Sequence, residues 1–420
     1  MIPCPITRAS KKNSEKASCI TLDMTLTFKD LKKLTEGWET RLYKMGVLQG
    51  DKICTILKPS PDLISLLFAA WRLGASVAIL NPNLPLKQIE SFLEEIQPQY
   101  TLGVDHKTYR REIPLIQSLL VPTSGSSGNP KIAVLSLSSL YANALNSIPL
   151  SPSDRWLLSL PLYHVSGIGI LLRCILSGAA IVFNKNHPEI THLSFVPTQL
   201  YRESPVYRNL KCVLLGGAPI PELSSPLPIF ETYGLTEMGS MVLARKKPPI
   251  INGQKYLGFP LPGREMRLGK GGEIFVRGET RFDGYLQNGT YVPIPKDVWF
   301  ATKDIGIFDP QEGFAILGRK DLQFICGGEN IQPEEIEQYI LKIPGILEAV
   351  VIPQKDPEFG AKPIAIIHCL TPHFSLQEMT QILTPLLPKY KIPKALYINV
   401  ELPKKGSKID RQKIIATYSQ

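Results

Sequence analysis

Apolar positions along the N-terminal half of the chain alternate between a helical and an extended spacing. From residue 27 to residue 43 they recur with the 3.6-residue period of a helix, which Thr27 is suited to cap. The run DKICTIL then predicts a strand, Pro61–Leu73 a second helix and Ser76–Leu80 a second strand. The runs FVPTQL and KCVLLGG predict further strands that end in turns of small residues. This alternation predicts βαβ units around parallel strands, with ligands bound where those strands end.

The spacing changes twice in the C-terminal half of the chain. After Lys246 the helical periodicity is lost, and the short runs GGEIFVRG and GFAILGR predict an antiparallel β subdomain. A second break at Gly318–Asp321 precedes an independent pattern of helix, strand, strand and helix. We therefore expect an α/β fold with a large N-terminal body of α/β subdomains, a small β subdomain and a small α+β C-terminal domain.

The segment Val165–Phe183 is apolar over nearly the length of a membrane-spanning helix. Arg173 lies in its middle, where a charge costs about 2.5 to 3.5 kcal/mol in a bilayer, and glycines divide it into short pieces. We interpret the segment as buried α/β core and expect no stable insertion into a membrane.

Composition narrows the class of protein but leaves its partners open. The 420 residues allow two or three domains, and 44% hydrophobic with 20% charged residues is typical of a folded globular chain. The seven cysteines are scattered without a CxxC pair, which indicates neither a disulfide framework nor a zinc site and fits a reducing cytoplasm. The N-terminus lacks the apolar core of a secretory signal. The net charge of +10 is compatible with nucleic acid, an acidic membrane surface or small anionic ligands.

The segment PTSGSSGNPK, residues 122–131, directly follows an apolar run and combines glycines, hydroxyl side chains and Lys131. Glycines allow the backbone to approach a ligand closely, and hydroxyl groups and a cation bind phosphate oxygens. The spacing of a Walker A loop is absent. The segment therefore predicts a phosphate-binding loop, with a flexible Gly/Ser turn as the alternative.

This segment closely resembles the TSGTTGxPK signature of adenylate-forming enzymes, the superfamily of acyl-CoA synthetases, luciferases and peptide-synthetase adenylation domains. Other segments resemble further signatures of that superfamily and follow in the same order along the chain. They are PLYHVSG (161–167), LLGGAPIP (214–221), ETYGLTE (231–237), WFATKDIG (299–306), GRKDLQFICGGENIQPEEIE (318–337) and LPKKGSKIDR (402–411). The chain is identified as a member of the superfamily because an ordered set is far more specific than any one segment.

The resemblance implies a two-step reaction that uses a small-molecule carboxylic acid, ATP, Mg²⁺ and coenzyme A. The carboxylate attacks the α-phosphate of ATP to give an acyl adenylate, and a thiol, usually of coenzyme A, then displaces AMP. The transition state of the first step gathers negative charge that cations and hydrogen-bond donors must stabilise. By this resemblance the catalytic residues are Lys131, Thr236, Glu237 and Lys408, and Glu237 also binds the metal.

The resemblance also implies which residues bind ATP. The loop at 123–131 clasps the β and γ phosphates, Asp304 accepts hydrogen bonds from the ribose hydroxyls, and Arg319 contacts the ribose or a phosphate. The other phosphate-loop and adenine residues are Thr123, Ser124, Gly125, Ser126, Ser127, Gly128, Gly216, Gly217, Ala218, Tyr233 and Gly234. Without the resemblance, these glycines would be more typical of turns and Tyr233 of a core.

A moving C-terminal domain is a further implication of the resemblance. It divides the chain into residues 1–318, a hinge at 319–321 that contains Asp321, and a mobile domain at 322–420. The motion lets one site serve two reactions, since Lys408 must approach for the first and leave for the second. In the second step Gly327 and Gly328 are expected to face the pantetheine arm of coenzyme A.

The Lys408 segment departs from the superfamily pattern. Familiar members carry PKTGSGKIDR, and LPKKGSKIDR is one residue shorter. Lys408 is favoured because KIDR aligns without a shift, and Lys404 and Lys405 stay open as substitutes. Ser126 and Ser127 replace the usual threonines and keep both hydroxyl groups.

The acid is indicated by the compact size and by local segments. PLYHVSGIGI, SFVPTQLYR and DPEFGAKPIAI are similar to the o-succinylbenzoate:CoA ligases of menaquinone biosynthesis. Such an acid needs an apolar wall with a cation or hydrogen-bond donors, for which the candidates are His164, Ser166, Gln199 and Arg202.

Another aryl- or acyl-CoA ligase and a carrier-protein adenylation enzyme are alternative functions. A non-catalytic nucleotide or nucleic-acid binder is a remote one, because no basic stripe is interleaved with aromatic residues. The oligomeric state stays open.

Overall fold

The three-dimensional structure is a computed structural model of the 420-residue chain. It describes residues 3–104, 109, 115–123, 131–197, 199–200, 207–217, 220, 225–370, 373–398, 402–405 and 408–418, except the side chains of Asn330, Lys405 and Lys408.

Helices and strands alternate through the first 246 residues. In chain order they are α1 (Pro5–Lys12), β1 (Ala17–Ile20), β2 (Thr25–Thr27), α2 (Phe28–Lys44), β3 (Lys52–Thr55), α3 (Pro61–Arg72), β4 (Ser76–Ile79), α4 (Leu86–Ile96), β5 (Tyr100–Leu102), β6 (Ser118–Thr123) and β7 (Lys131–Ser136). They continue with α5 (Leu137–Leu145), β8 (Arg155–Leu157), α6 (Val165–Ser177), β9 (Ala180–Val182), β10 (His192–Phe195), β11 (Cys212–Leu215), β12 (Ile229–Leu235) and β13 (Ser240–Lys246).

Strands predominate in the remainder of the chain. The first group is β14 (Ile250–Ile251), β15 (Gln254–Lys255), β16 (Arg264–Leu268), β17 (Glu273–Gly278), β18 (Gly284–Gln287), β19 (Thr290–Pro293), β20 (Phe300–Asp309) and β21 (Gly313–Arg319). The second group is β22 (Phe324–Cys326), β23 (Glu329–Ile331), α7 (Pro333–Ile340), β24 (Ile346–Asp356), β25 (Gly360–Cys369), α8 (Leu376–Leu383), β26 (Leu396–Ile398), β27 (Lys404–Lys405), β28 (Lys408–Ile409) and α9 (Arg411–Tyr418).

Two large mixed sheets form the N-terminal body. The strand order is β19-β18-β7-β6-β4-β3-β5 in the first sheet and β13-β12-β11-β10-β8-β9-β1-β2 in the second. β3 is parallel to β4 and β5, and β10 is parallel to β8 and β11, as the βαβ alternation predicts. Residues of α2, α3, α5 and α6 share one buried apolar cluster with both sheets, represented by Ile53 of the first and Trp156 of the second.

Local capping explains where the first long helices begin. Thr27 and Asp30 form a capping box at the start of α2, with Thr27 Oγ1 accepting from the Asp30 N–H at 3.2 Å. Ser60 Oγ accepts from the Leu63 N–H at 3.2 Å at the start of α3, where Pro61 takes the first helical position. Both helices match their sequence-based predictions to within one residue at each end.

The apolar segment Val165–Phe183 lies in the core of the body as α6 and β9. Arg173 is 4% exposed, its Nε donates to Ser147 Oγ at 2.8 Å, and its guanidinium lies 5.6 Å from the Trp156 ring centroid. Burial lowers the pKa of Arg173 to about 10, so the side chain is charged at neutral pH. Across the described ranges, no helix is both long and apolar enough to cross a membrane.

The β subdomain contains the two runs that predicted it, and one hairpin from the same stretch of chain joins another sheet. β16, β17, β20 and β21 form the expected antiparallel sheet after Lys246. The hairpin of β18 and β19 instead extends the first large sheet, because β18 pairs with β7 and places Tyr285 opposite Ala133. A period of two identifies a strand but not its partner. This pairing brings Tyr285 close to the strand that begins at Lys131.

The C-terminal part has apolar cores of its own. Ile336, Val351 and Met379 belong to one buried cluster, and Ile366 and Ile414 belong to another. The other buried clusters contain only residues that precede β22. β24 is antiparallel to β25, which is parallel to β26. The predicted fold class, an α/β body with a β subdomain and a small α+β C-terminal part, is confirmed.

Candidate active site

β6 and β7 bring the two ends of the predicted phosphate loop together. Thr123 ends β6, Lys131 begins β7, and the two residues lie opposite each other in the antiparallel pair. Thr123 Oγ1 donates to the backbone oxygen of Lys131 at 3.1 Å, which fixes the base of the loop. The predicted loop residues Ser124, Gly125, Ser126, Ser127 and Gly128 lie outside the described residues.

A short 3₁₀ turn at the end of β12 carries Thr236 and Glu237. Gly239 follows with φ of +69°, a left-handed conformation that suits glycine, and its N–H donates to the Thr236 oxygen at 3.0 Å. The Phe282 N–H donates to the backbone oxygen of Glu237 at 2.8 Å. The chain thus turns sharply and leaves both side chains at a strand end, where α/β sheets bind ligands.

Tyr285 contacts both Glu237 and Lys131. Its hydroxyl donates to Oε1 of Glu237 at 2.7 Å, and the Lys131 ammonium lies 5.4 Å from the centroid of its ring. Burial, together with the charge of Glu237, raises the pKa of Tyr285, so its hydroxyl keeps its proton and acts as a donor. The structure therefore brings Lys131 and Glu237 to one tyrosine, a residue that the sequence reasoning missed.

Asp304 on β20 is the centre of a second polar group. The Tyr233 hydroxyl donates to its Oδ2 at 2.5 Å, and Arg319 Nη1 donates to its Oδ1 at 3.1 Å. Burial raises the pKa of Asp304, and the hydrogen bond from Tyr233 and the charge of Arg319 oppose that rise. Burial also raises the pKa of Tyr233. The arrangement provides a buried carboxylate whose oxygens can accept hydrogen bonds from hydroxyl groups such as those of a ribose.

Arg319 joins Asp304 to Asp321. Its Nε and Nη2 donate to the two carboxylate oxygens of Asp321, each at 3.2 Å. Burial lowers the pKa of Arg319, but the hydrogen bond to Asp321 and the charges of both carboxylates raise it by more. Asp321, the predicted hinge residue, lies in a 3₁₀ turn at Lys320–Leu322, directly after β21.

Packing accounts for the glycines among the predicted adenine residues. A Cβ on Gly216 would lie 2.2 Å from Thr232 Oγ1, and a Cβ on Gly234 would lie 1.9 Å from the Ser240 oxygen. Gly217 has φ of +82°. Neighbouring strands thus require glycine at two of these positions, and contact with adenine stays a prediction. Ala218 lies outside the described residues.

Two of the predicted acyl-pocket residues lie at the start of α6. His164 directly precedes the helix, and its ring meets that of Tyr163 edge-on at a centroid distance of 4.8 Å. Ser166 lies in the first turn and is half-buried. Both residues therefore lie at a helix N-terminus that follows β8.

Gln199 hydrogen-bonds to two backbone segments. Its Oε1 accepts from the Val196 N–H at 3.0 Å, and its Nε2 donates to the Ser159 oxygen at 3.2 Å. These bonds tie the turn after β10 to the segment after β8, so the side chain shapes the strand ends. Arg202 lies outside the described residues.

Gly327 and Gly328 form the turn between β22 and β23, with φ of +58° and +88°. The Gly327 N–H donates to the Phe359 oxygen at 2.9 Å. This turn is held against the segment between β24 and β25, and its approach to coenzyme A stays a prediction.

The Lys408 segment forms a hairpin. Lys405 and Lys408 lie opposite each other in the pair of β27 and β28, and their side chains are not described. Lys404 Nζ makes an ion pair with Glu348 Oε1 at 2.6 Å, within the C-terminal part. This ion pair engages Lys404 elsewhere and favours Lys408 over Lys404 for the predicted role.

A second residue that the sequence reasoning missed is Asn143 of α5, which is 1% exposed. Its Nδ2 donates to the backbone oxygens of Met238 at 3.0 Å and Met241 at 3.3 Å, and its Oδ1 accepts from Arg173 Nη2 at 3.3 Å. Asn143 thus holds the turn that carries Glu237. The available signal was a polar residue that shares a helix face with the apolar residues Leu140 and Ala144 and with Ser139.

Glu237 fits a magnesium ion that is bound together with nucleotide phosphates. The carboxylate is half-buried, and its Oε1 is bonded to Tyr285. Mg²⁺ typically takes one or two carboxylates and completes its octahedron with phosphate oxygens and water. Within the described part of the chain, no group of three or more His, Cys, Asp or Glu side chains could hold a metal ion. The donor set therefore suits a metal that substrate phosphates help to hold.

Family comparisons agree with this geometry. The family of AMP-binding enzymes matches residues 6–119 and 118–286, and the AMP-binding enzyme C-terminal domain matches residues 335–408. The chain belongs to the AMP-binding enzyme family. The predicted membership of the adenylate-forming superfamily is confirmed.

Individual relatives cover nearly the whole chain. The 2-succinylbenzoate–CoA ligase of Escherichia coli strain K12 is 33% identical over 93% of this chain and 92% of its own. The o-succinylbenzoate CoA synthetase of Bacillus subtilis, solved with the acyl-adenylate intermediate OSB-AMP, is 26% identical with a TM-score of 0.84 over 98% of each chain. The same enzyme solved with ATP and a magnesium ion is 25% identical with a TM-score of 0.84, over 98% of this chain and 99% of its own.

Proposed function

We propose that this protein is a 2-succinylbenzoate–CoA ligase that converts the acid, ATP and coenzyme A into 2-succinylbenzoyl-CoA, AMP and pyrophosphate. The observation that carries the proposal is the near-full-length similarity to a curated ligase of that activity. The protein then binds the acid, ATP and coenzyme A, and it does not bind nucleic acid.

All seven cysteines are free thiols, which supports a location in the reducing cytoplasm.

In the first step a carboxylate oxygen of the acid bonds to the α-phosphorus of ATP, and the bond from that phosphorus to pyrophosphate breaks. The ionised carboxylate needs no base, so the protein orients the reactants and stabilises charge. Lys131 and Lys408 supply positive charge, and Thr236 and Glu237 hold the phosphates and the metal. A bound magnesium ion neutralises phosphate charge there.

Nucleotide binding involves the group around Asp304. We assign its carboxylate to the ribose hydroxyls, a role supported by the donors Tyr233 and Arg319, which favour its ionised form. We place the β and γ phosphates against the loop between Thr123 and Lys131. The adenine lies against the strand ends near Gly216 and Gly234.

In the second step the thiol sulfur of coenzyme A bonds to the acyl carbon, AMP leaves, and the thiol proton passes to solvent. We propose that the chain divides into residues 1–318, a hinge at 319–321 and a mobile domain at 322–420. The separate apolar cores before and after the hinge support this division. Gly327 and Gly328 then approach the pantetheine arm.

The acid pocket is assigned to the strand ends near α6. An apolar wall with a few convergent polar groups suits an aromatic keto acid with a second carboxylate. His164, Ser166 and Arg202 are the proposed polar contacts. Gln199 belongs to the same pocket and shapes it through its two backbone hydrogen bonds.

A panel of acids tests the substrate. Purified protein is incubated with ATP, Mg²⁺, coenzyme A and one acid at a time, and AMP and the CoA ester are measured by liquid chromatography with mass detection. We expect 2-succinylbenzoate to give the highest kcat/KM among benzoate, cinnamate, malonate and fatty acids. A higher kcat/KM for any of the other acids would reject the substrate. Transfer to a phosphopantetheinylated carrier protein in preference to coenzyme A would reject the acceptor.

A further inference from the structure

The segment from Phe282 to Tyr285 anchors Glu237 at two points. The Phe282 N–H donates to the backbone oxygen of Glu237 at 2.8 Å, and the Tyr285 hydroxyl donates to its Oε1 at 2.7 Å. The ring of Tyr285 packs edge-on against Phe282 at a centroid distance of 4.8 Å, and Phe282 is fully buried. The phenol is therefore held in place by a rigid neighbour, and it in turn restricts the rotation of the Glu237 side chain.

The sheet register places the same tyrosine beside the phosphate loop. Tyr285 on β18 lies opposite Ala133 on β7, and Lys131 is two residues before Ala133. Residues opposite each other in an antiparallel pair share a face of the sheet, and so do residues two apart on one strand. The Lys131 ammonium accordingly lies 5.4 Å from the Tyr285 ring centroid. One side chain thus contacts a carboxylate and a cation, both of which we assign to the phosphates of ATP.

We propose that Tyr285 is a positioning residue of the phosphate site, whose hydroxyl engages Oε1 of Glu237 so that the carboxylate offers one oxygen to the metal. This inference rests on the proposed function, since it assigns Glu237 to the magnesium ion that accompanies ATP. Mg²⁺ requires nearly octahedral geometry, which a carboxylate bound through one oxygen satisfies. Hydrogen-bond partners of metal ligands orient those ligands and contribute about ten- to a hundredfold to metal affinity.

The experiment measures metal binding without turnover. Mg²⁺ is titrated by isothermal calorimetry into enzyme saturated with α,β-methylene-ATP, whose α–β bridge cannot be cleaved in the first step. We expect Tyr285→Phe to weaken Mg²⁺ binding about ten- to a hundredfold. Binding of the metal-free nucleotide in EDTA should stay within about twofold, because phenylalanine keeps the ring beside Lys131 and loses only the hydroxyl that engages Glu237.

Tyr291→Phe is the matched control. Tyr291 lies on the adjoining strand β19, is half-buried like Tyr285, and donates its hydroxyl to the Asp283 backbone oxygen at 3.0 Å. We expect this variant to bind Mg²⁺ as the original protein does. Combining Tyr285→Phe with Glu237→Gln should weaken Mg²⁺ binding no further than Glu237→Gln does, since the tyrosine acts through the carboxylate.

Two results would overturn the proposal. One is Mg²⁺ binding by Tyr285→Phe within twofold of that by Tyr291→Phe. The other is an equal loss of metal-free nucleotide binding, which would indicate general disruption of the site.

Adenylation by Tyr285→Phe should also recover when the Mg²⁺ concentration is raised, with thioester formation from supplied acyl adenylate unchanged. Because calorimetry requires no acid, these results are independent of the substrate, and failure of the proposed function would appear as absence of 2-succinylbenzoyl-CoA formation by the original protein.

Discussion

Replacing Asn143 with alanine would remove the side chain that joins the Glu237 turn to the core of the body. Asn143 Nδ2 donates to the backbone oxygens of Met238 and Met241, and its Oδ1 accepts from Arg173 Nη2. Arg264 Nε donates to the Met241 oxygen at 2.7 Å, so that oxygen keeps a partner in the variant. The Met238 oxygen and the Arg173 Nη2 group each lose the bond to Asn143.

The expected loss of stability follows from these two groups. A buried polar group that loses its partner costs about 1 to 3 kcal/mol, so Asn143→Ala should lower the free energy of unfolding by about 2 to 6 kcal/mol. The same change releases the turn from α5. We therefore expect ATP–pyrophosphate exchange to fall as well, because Thr236 and Glu237 lose part of their support.

Urea unfolding followed by tryptophan fluorescence measures this effect, since Trp156 lies 5.6 Å from the Arg173 guanidinium. Asn186→Ala, at an exposed position, is the control and should change stability by less than about 0.5 kcal/mol. Arg173→Met combined with Asn143→Ala should cost less than the sum of the single changes, by about 0.5 to 3 kcal/mol. An unfolding midpoint for Asn143→Ala equal to that of Asn186→Ala would refute the reasoning.

Three further changes test the site and the fold. Lys408→Ala should reduce adenylation at least a hundredfold, on the order expected for loss of a charge that stabilises the transition state. It should spare thioester formation from supplied acyl adenylate. Lys404→Ala is the comparison variant, and equal loss in both half-reactions of Lys408→Ala would contradict the proposed role. Asp304→Asn should raise the KM for ATP about tenfold or more. It should also lower the melting temperature, because an amide nitrogen replaces one of the two oxygens that accept from Tyr233 and Arg319. A lower melting temperature with an unchanged KM would argue for a purely structural carboxylate. Burial lowers the pKa of His192 to about 4. The unfolded chain therefore binds more protons than the folded one between about pH 4 and 6.5. As pH falls through this window, the His192 contribution to stability decreases, by about 3 kcal/mol in all. His192→Gln should flatten this part of the stability profile in urea titrations at several pH values, and an unchanged profile would contradict the assignment.

Much of the site was predictable because its residues belong to short contiguous segments. Thr123 and Lys131 belong to one glycine-rich segment, and the fold places them opposite each other at the base of a hairpin. Asp304 was singled out through the WFATKDIG segment, and the structure surrounds it with Tyr233 and Arg319. In each case the informative neighbours lie close along the chain or within another recognisable segment.

Tyr285 and Asn143 could not be found in this way. Tyr285 reaches Glu237 because β18 leaves the β subdomain and pairs with β7 at the edge of another sheet. Asn143 reaches the same turn because α5 packs against the end of β12, and its side chain spans to Arg173 on α6. Neither residue lies in a segment whose composition indicates phosphate chemistry.

The sequence by itself determined the element types, the fold class and the order of the segments that resemble the family signatures. Hydrophobic periodicity, helix capping and glycine placement act over a few residues and can therefore be recognised in the sequence, as the starts of α2 and α3 show. The tertiary structure alone decided which strands pair and which side chains converge on Glu237. Strand pairing and side-chain packing join residues far apart in sequence. Every strand offers the same kinds of backbone donors and acceptors to any partner, so a strand's own period cannot identify that partner.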